Sequence, residues 1–205
     1  MSLVTVSTFR EYLPEIASNT AIDTELGSLL DRVEKAIANY LGFPWLDSSL
    51  SPTLADSVYT VYVDRPLLSD PLTLQLPIAP VTEITSINAD ASRQYDTSTI
   101  IDAATYDLEQ ATGRVILKAG QVSRNFSIGK RANKCVIRAG FTASTLPDDL
   151  EHGICVFASQ LHRNKTNQGK ESINTRNGSV RFTKKNMPVE VKETIYPYRA
   201  PGLIL

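Results

Sequence analysis

Two cysteines, two histidines and a single tryptophan occur in 205 residues, and each scarcity closes off a class of protein. Cys135 and Cys155 are too few for a disulfide framework, and neither sits in a CxxC or Cys/His spacing of the kind that holds zinc. Both read as small buried hydrophobes. His152 and His162 share one predicted helix but miss the i, i+4 spacing of a metal pair, so no metal or other cofactor is expected. The 10 glycines form no Gly-rich loop, and there is no phosphate-binding loop, dinucleotide fingerprint or GxSxG elbow. No apolar run approaches the roughly 18 to 20 residues of a membrane span. The opening MSLVTVSTFREYLPEI lacks the basic stretch and apolar core of a secretion signal, so synthesis in the cytoplasm is expected, with no membrane partner. The sequons at Asn125, Asn164 and Asn177 carry no weight in an unsecreted chain.

What is present is an ordinary globular composition, 42% apolar and 21% charged. The net charge of -1 conceals a division along the chain. Residues 1–110 carry 16 Asp and Glu against 5 Lys and Arg, whereas residues 111–205 carry 6 against 16. Opposed charge of this kind suits stacking of one subunit on its neighbours.

Hydrophobic periodicity supplies the elements. Ser7 reads as the cap of a short helix over 7–14, with Pro14 as its stop. Leu26, Leu29, Leu30, Val33, Ile37, Tyr40 and Leu41 recur at three-to-four spacing and predict a helix over 23–41, closed by Gly42 and Pro44. Residues 43–57 read as a long surface loop pinned by Phe43 and Trp45. Runs rich in β-branched and aromatic residues follow at 58–63, 72–76, 81–88, 105–108, 114–117 and 135–141, an antiparallel β region over 58–141. Gly113 is placed to turn the hairpin DLEQATGRVILK. A last helix is expected over 148–163, with Pro147 at its start, and Asn177-Gly178 signals a further hairpin. The class is α+β: a small helical bundle of N-terminal helices plus the helix after the β region, an antiparallel β insertion, and an extended C-terminal tail. Residues 1–166 make the core, and 167–205 the hairpin and an extended partner-docking tail.

Asp148, Asp149 and Glu151 resemble an acid cluster, yet carboxylates in a first helical turn complement the helix dipole without any chemistry. No catalytic residue is assigned, and the chain is not expected to be an enzyme. Arg163, Lys165, Lys170, Arg176, Arg181, Lys184, Lys185, Lys192 and Arg199 are dispersed and enclose no nucleic-acid motif, which suits a solvated face or an acidic partner better than base reading. In the tail, Tyr196, Tyr198 and Arg199 are types favoured at interface hot spots, and Leu203, Ile204 and Leu205 add an apolar tip.

Four stretches, LLDRVEKAIANYLG, LPIAPVTEITSIN, TYDLEQATGRVILK and CVIRAGFTASTLPDDLEHGICVFASQLHR, together resemble the head-tail connector, or portal adaptor, proteins of long-tailed bacteriophages and gene-transfer particles. The likeness covers most of residues 5–163, and its most specific block is the last. It implies a virion structural protein at the head-tail junction, made in the host cytoplasm and assembled as a ring, commonly of twelve copies, beneath the portal. Such a ring extends the channel through which DNA passes without sequence-specific binding and offers a platform for stopper or tail proteins. By that likeness Glu193 to Leu205 corresponds to the segment that docks onto the portal protein. The chain departs from smaller members in its longer β region and in the INTRNGSVRFT hairpin. Two other readings stay open: a head-closure or tail-completion neck protein, and a small nucleic-acid-binding protein that uses the basic C-terminal half.

Overall fold

The structure is a computed structural model and describes residues 2–16, 19–44, 51–118, 120, 125–165, 172–175, 178–181 and 187–199. Helix α1 (Val6–Glu11) begins where extended Thr5 accepts the Thr8 N–H through its hydroxyl at 3.1 Å. The cap is therefore Thr5 rather than the expected Ser7. The helix stops short of residue 14 because Pro14 disfavours helical backbone at Leu13; Pro14–Ile16 form a separate 3-10 turn. Helix α2 (Asp23–Leu41) fills the range its apolar stripe predicts. Leu26, Leu30, Val33 and Ile37 are all buried on that stripe.

The chain divides into two compact units, a helical one of Met1–Ile37 and Ala143–Pro197, and a β unit of Ala38–Thr142 with the chain from Tyr198. In the β unit six strands follow in order: β1 (Ser57–Arg65), β2 (Thr73–Gln75), β3 (Val81–Ala89), β4 (Tyr106–Glu109), β5 (Arg114–Leu117) and β6 (Gly129–Ala139). They form two antiparallel three-stranded sheets, ordered β1-β6-β3 and β2-β5-β4. Strand β1 alternates as a half-buried strand must, with Tyr59, Val61 and Val63 inward and Val58, Tyr62 and Asp64 outward. Strand β6 starts at Gly129, six residues before the expected Cys135. The early part, GKRANK, has weak strand propensity, but β6 is the central strand and takes hydrogen bonds from both neighbours, which overrides local preference.

Two glycines are required by geometry. Gly113 turns the β4–β5 hairpin at φ 67°, and a Cβ there would lie 2.5 Å from the Ile78 carbonyl oxygen. Gly140 has φ 112°, and its Cβ would lie 2.7 Å from the Leu54 oxygen and 2.8 Å from that of Ala55. Residues 54–56 run directly against this strand end, since Phe141 N–H donates to Leu54 (2.8 Å) and Asp56 N–H to Phe141 (2.8 Å). The end of strand β6 in CVIRAGFTASTLPDDLEHGI is thus a place where two backbones touch. Phe43 is buried as expected and stacks obliquely near Phe141, with centroids 6.4 Å apart, whereas Trp45 lies outside the described residues.

The helical unit continues with α3 (Asp148–Arg163), whose range matches its periodicity; Leu150, Ile154 and Phe157 are buried along it. Pro147 occupies its N-cap position without a side-chain cap, and Asp148, Asp149 and Glu151 fill its first turn. Strands β7 (Ser172–Thr175) and β8 (Gly178–Arg181) pair antiparallel in register Ser172↔Arg181 to Thr175↔Gly178. Gly178 is therefore the first residue of β8, and the linking Arg176 and Asn177 lie outside the described residues.

A fourth helix, α4 (Val189–Ile195), is an element that sequence reasoning left out. Val191 and Ile195 are buried, and α3 receives them at Gly153, where a Cβ would lie 2.9 Å from Ile195 Cγ2 and 3.6 Å from Val191 Cγ1. Glycine inside a helix costs about 1 kcal/mol relative to alanine; here it makes room for a neighbour. At the other end of the chain, Glu34 on α2 accepts hydrogen bonds from the Ser2 hydroxyl (2.5 Å), Leu3 N–H (2.9 Å) and Val4 N–H (3.1 Å). That carboxylate holds Leu3 and Val4 in buried positions.

Candidate docking site

Among the described residues, both cysteines and His152 are packed against other groups of the chain. Cys135 and Cys155 are free and buried, and burial pushes both thiols up to about 12, so they stay protonated at neutral pH. His152 faces Tyr12, whose hydroxyl lies 3.1 Å from its Nδ1, with ring centroids 5.6 Å apart. His162 is half-buried further along the same helix. Among the described residues no three His, Cys, Asp or Glu side chains gather in a way that would hold a metal ion.

The dispersed basic residues separate in the fold. Arg163 bonds Glu15 at 2.9 Å and the Tyr12 carbonyl at 3.1 Å, and its guanidinium holds the Glu15 carboxyl below the usual carboxylate range. Lys165 pairs with Glu25 at 2.5 Å and lowers that carboxyl likewise. Lys192 is half-buried on α4. Arg181 ends β8, and Lys170, Arg176, Lys184 and Lys185 lie outside the described residues. In the β unit Arg138 pairs with Asp56 at 2.8 Å and Lys118 with Asp107 at 3.1 Å. Each of these pairs joins a basic residue of the second half of the sequence to an acidic residue of the first.

The C-terminal candidates part company. A single 3-10 turn, Tyr196–Tyr198, follows α4. Tyr196 is 58% exposed, which leaves its ring available to a partner. Tyr198 is half-buried in the β unit, where its ring meets Phe141 edge-on at 6.3 Å and 82°. Arg199 is half-buried beside it in sequence, and Leu203, Ile204 and Leu205 lie outside the described residues. The structure thus separates one exposed aromatic from one already packed, a distinction that residue type does not carry.

No protein-family model matches the chain, and no curated protein sequence matches it. Solved structures do. The fold is similar to that of a chain in the neck of an empty gene transfer agent particle computed with C6 symmetry, at 22% identity and a TM-score of 0.58, covering 98% of this chain and 92% of that one. It is similar to a chain in the neck of the native particle computed with C12 symmetry, at 19% identity and a TM-score of 0.53, covering 98% and 95%. A chain of the native gene transfer agent virion gives 19% identity, a TM-score of 0.58 and coverage of 98% and 92%. The chain shares, over nearly its whole length, the fold of proteins found in the neck and virion of that particle.

Proposed function

We propose that this protein is a structural subunit of a phage-like particle, built into its neck as a ring-forming connector beneath the portal. The observation that carries the reading is the likeness in fold over 98% of the chain to neck chains resolved in C6 and C12 reconstructions. Ring closure demands heterologous contact, one face of a subunit against a different face of the next. The ring extends the DNA channel and offers its far side to stopper or tail proteins. Docking onto the portal falls to the C-terminal segment. Exposed Tyr196 and the apolar Leu203, Ile204 and Leu205 serve as its anchors, with Arg199 beside them.

The structure sharpens the test of docking. Because Tyr198 packs on Phe141, removing it would disturb the β unit, so the informative variant is Tyr196→Ala combined with deletion of residues 200–205. That variant is expected to keep its circular dichroism melt and to lose at least about tenfold in retention by immobilised portal, as hot-spot truncation does. Unchanged retention would refute the docking assignment. Negative-stain images of portal mixed with the intact chain should show one added layer directly on the portal. A layer seated only on a pre-formed connector would instead point to a head-closure protein.

A further inference from the structure

Three residues other than glycine have positive φ among the described residues, Arg93 (63°), Tyr95 (54°) and Arg131 (54°), and all three belong to one surface of the β unit. Backbone in this region is strained for side chains with a Cβ and persists only where the surroundings hold it. Here they do. Arg131 N–H donates to Asp64 Oδ1 at 2.7 Å, and the Arg131 carbonyl accepts from the Tyr95 hydroxyl. Tyr95 N–H in turn donates to Asp90 Oδ2 at 2.9 Å, and Gln94 N–H to the same oxygen at 2.7 Å.

The held side chains are cations on aromatic rings. The Arg131 guanidinium carbon lies 4.2 Å from the Tyr62 ring centroid, and Lys134 Nζ lies 5.7 Å from that of Tyr95. The two rings are themselves neighbours at 5.6 Å. Lys130 and Arg93 are exposed alongside. Among the described residues, none of the four cations makes an ion pair, and the nearby carboxylates of Asp64 and Asp90 are engaged by backbone N–H groups. A guanidinium stacked on a ring keeps its N–H edges free to bind two oxygens of a phosphate.

We propose that Arg93, Lys130, Arg131 and Lys134, carried on the Tyr62 and Tyr95 rings, form a binding site for the phosphate backbone of a nucleic acid. A protein partner would be expected to meet an apolar centre with a polar rim. This surface instead has its rings covered by charge and its cations spread over two segments of chain, which matches a linear, evenly charged polyanion. The contact proposed is with phosphate, which carries no sequence information.

The test is fluorescence anisotropy of a labelled duplex with the full chain, titrated between about 50 and 200 mM salt. Binding is expected at low salt and should weaken as salt rises. The double variant Arg93→Asn with Arg131→Asn removes both guanidinium groups while supplying a residue that tolerates positive φ. It should weaken binding at least about tenfold and flatten the log-log salt slope by about 1 to 2. Lys134→Gln, at a position with ordinary backbone, should act in the same direction, whereas Arg32→Gln with Lys35→Gln on α2 should change affinity less than about twofold. Absence of binding by the intact chain at low salt would overturn the proposal, as would equal weakening by the two double variants. Displacement of the duplex by polyglutamate as effectively as by unlabelled DNA would overturn it in favour of an acidic protein partner. The measurement uses the isolated chain, so its outcome and that of portal association are separable.

Discussion

At the scale of single residues, the fold depends on carboxylates that serve the backbone. Asp90 accepts from the N–H groups of Ser92, Gln94 and Tyr95, and the Ser92 hydroxyl bond is the largest of several that hold its carboxyl down to about 2. A depressed folded value means stability present above the unfolded value of 3.8 and lost as pH falls from there towards 2. Asp90→Asn, which cannot offer two anionic oxygens, should therefore be less stable than the parent at pH 6, with the gap in urea midpoint closing as pH drops below about 4. A gap that stays constant down to pH 2.5 would rule out the Asp90 clamp as a source of the acid sensitivity. Glu34 has the opposite sign: burial raises its carboxyl against the pull of its hydrogen bonds, so its contribution favours low pH and is lost as pH rises through the folded value. Neither role is legible in sequence, because a carboxylate on a helix face or in a loop reads first as solvated.

Among elements, the contrast lies between helices that stand on their own pattern and one that does not. Helices α2 and α3 are long enough for periodicity to mark them, and their observed ranges coincide with the expected ones. Helix α4 has only seven residues, with β-branched Val189, Val191, Thr194 and Ile195, and an isolated helix of that length is unstable in water. Its stability comes from Val191 and Ile195 seated over Gly153. Ile195→Ala should accordingly cost about 2 to 4 kcal/mol in denaturant unfolding and raise amide exchange through 189–195 first. A cost below about 0.5 kcal/mol would mean that α4 is not held by this contact. Strand β6 shows the same dependence in a sheet, since its polar first half is extended only through pairing on both sides.

For the whole molecule, the charge division along the sequence is not a division between the two units. By sequence, the helical unit carries 12 acidic and 11 basic residues and the β unit 10 of each, so neither unit inherits the polarity of its half of the chain. Among the described residues, Arg163–Glu15, Lys165–Glu25, Arg138–Asp56 and Lys118–Asp107 return late cations to early carboxylates. Exposed pairs of this kind contribute between 0 and about 1 kcal/mol each, and salt screens them. Raising salt from about 0.05 to 0.5 M should change unfolding free energy by no more than about 1 kcal/mol; a marked gain in stability would instead reveal unpaired like charges within each unit. By itself the sequence determined the α+β class, the two long helices and the hairpin at Gly113, because those follow from periodicity and turn chemistry within a few residues. Only the tertiary structure decided the start of β6, the existence of α4, the separate fates of Tyr196 and Tyr198, and the gathering of Arg93, Tyr95 and Arg131 with Tyr62. Each of these depends on groups distant in the chain, whose meeting no local pattern encodes.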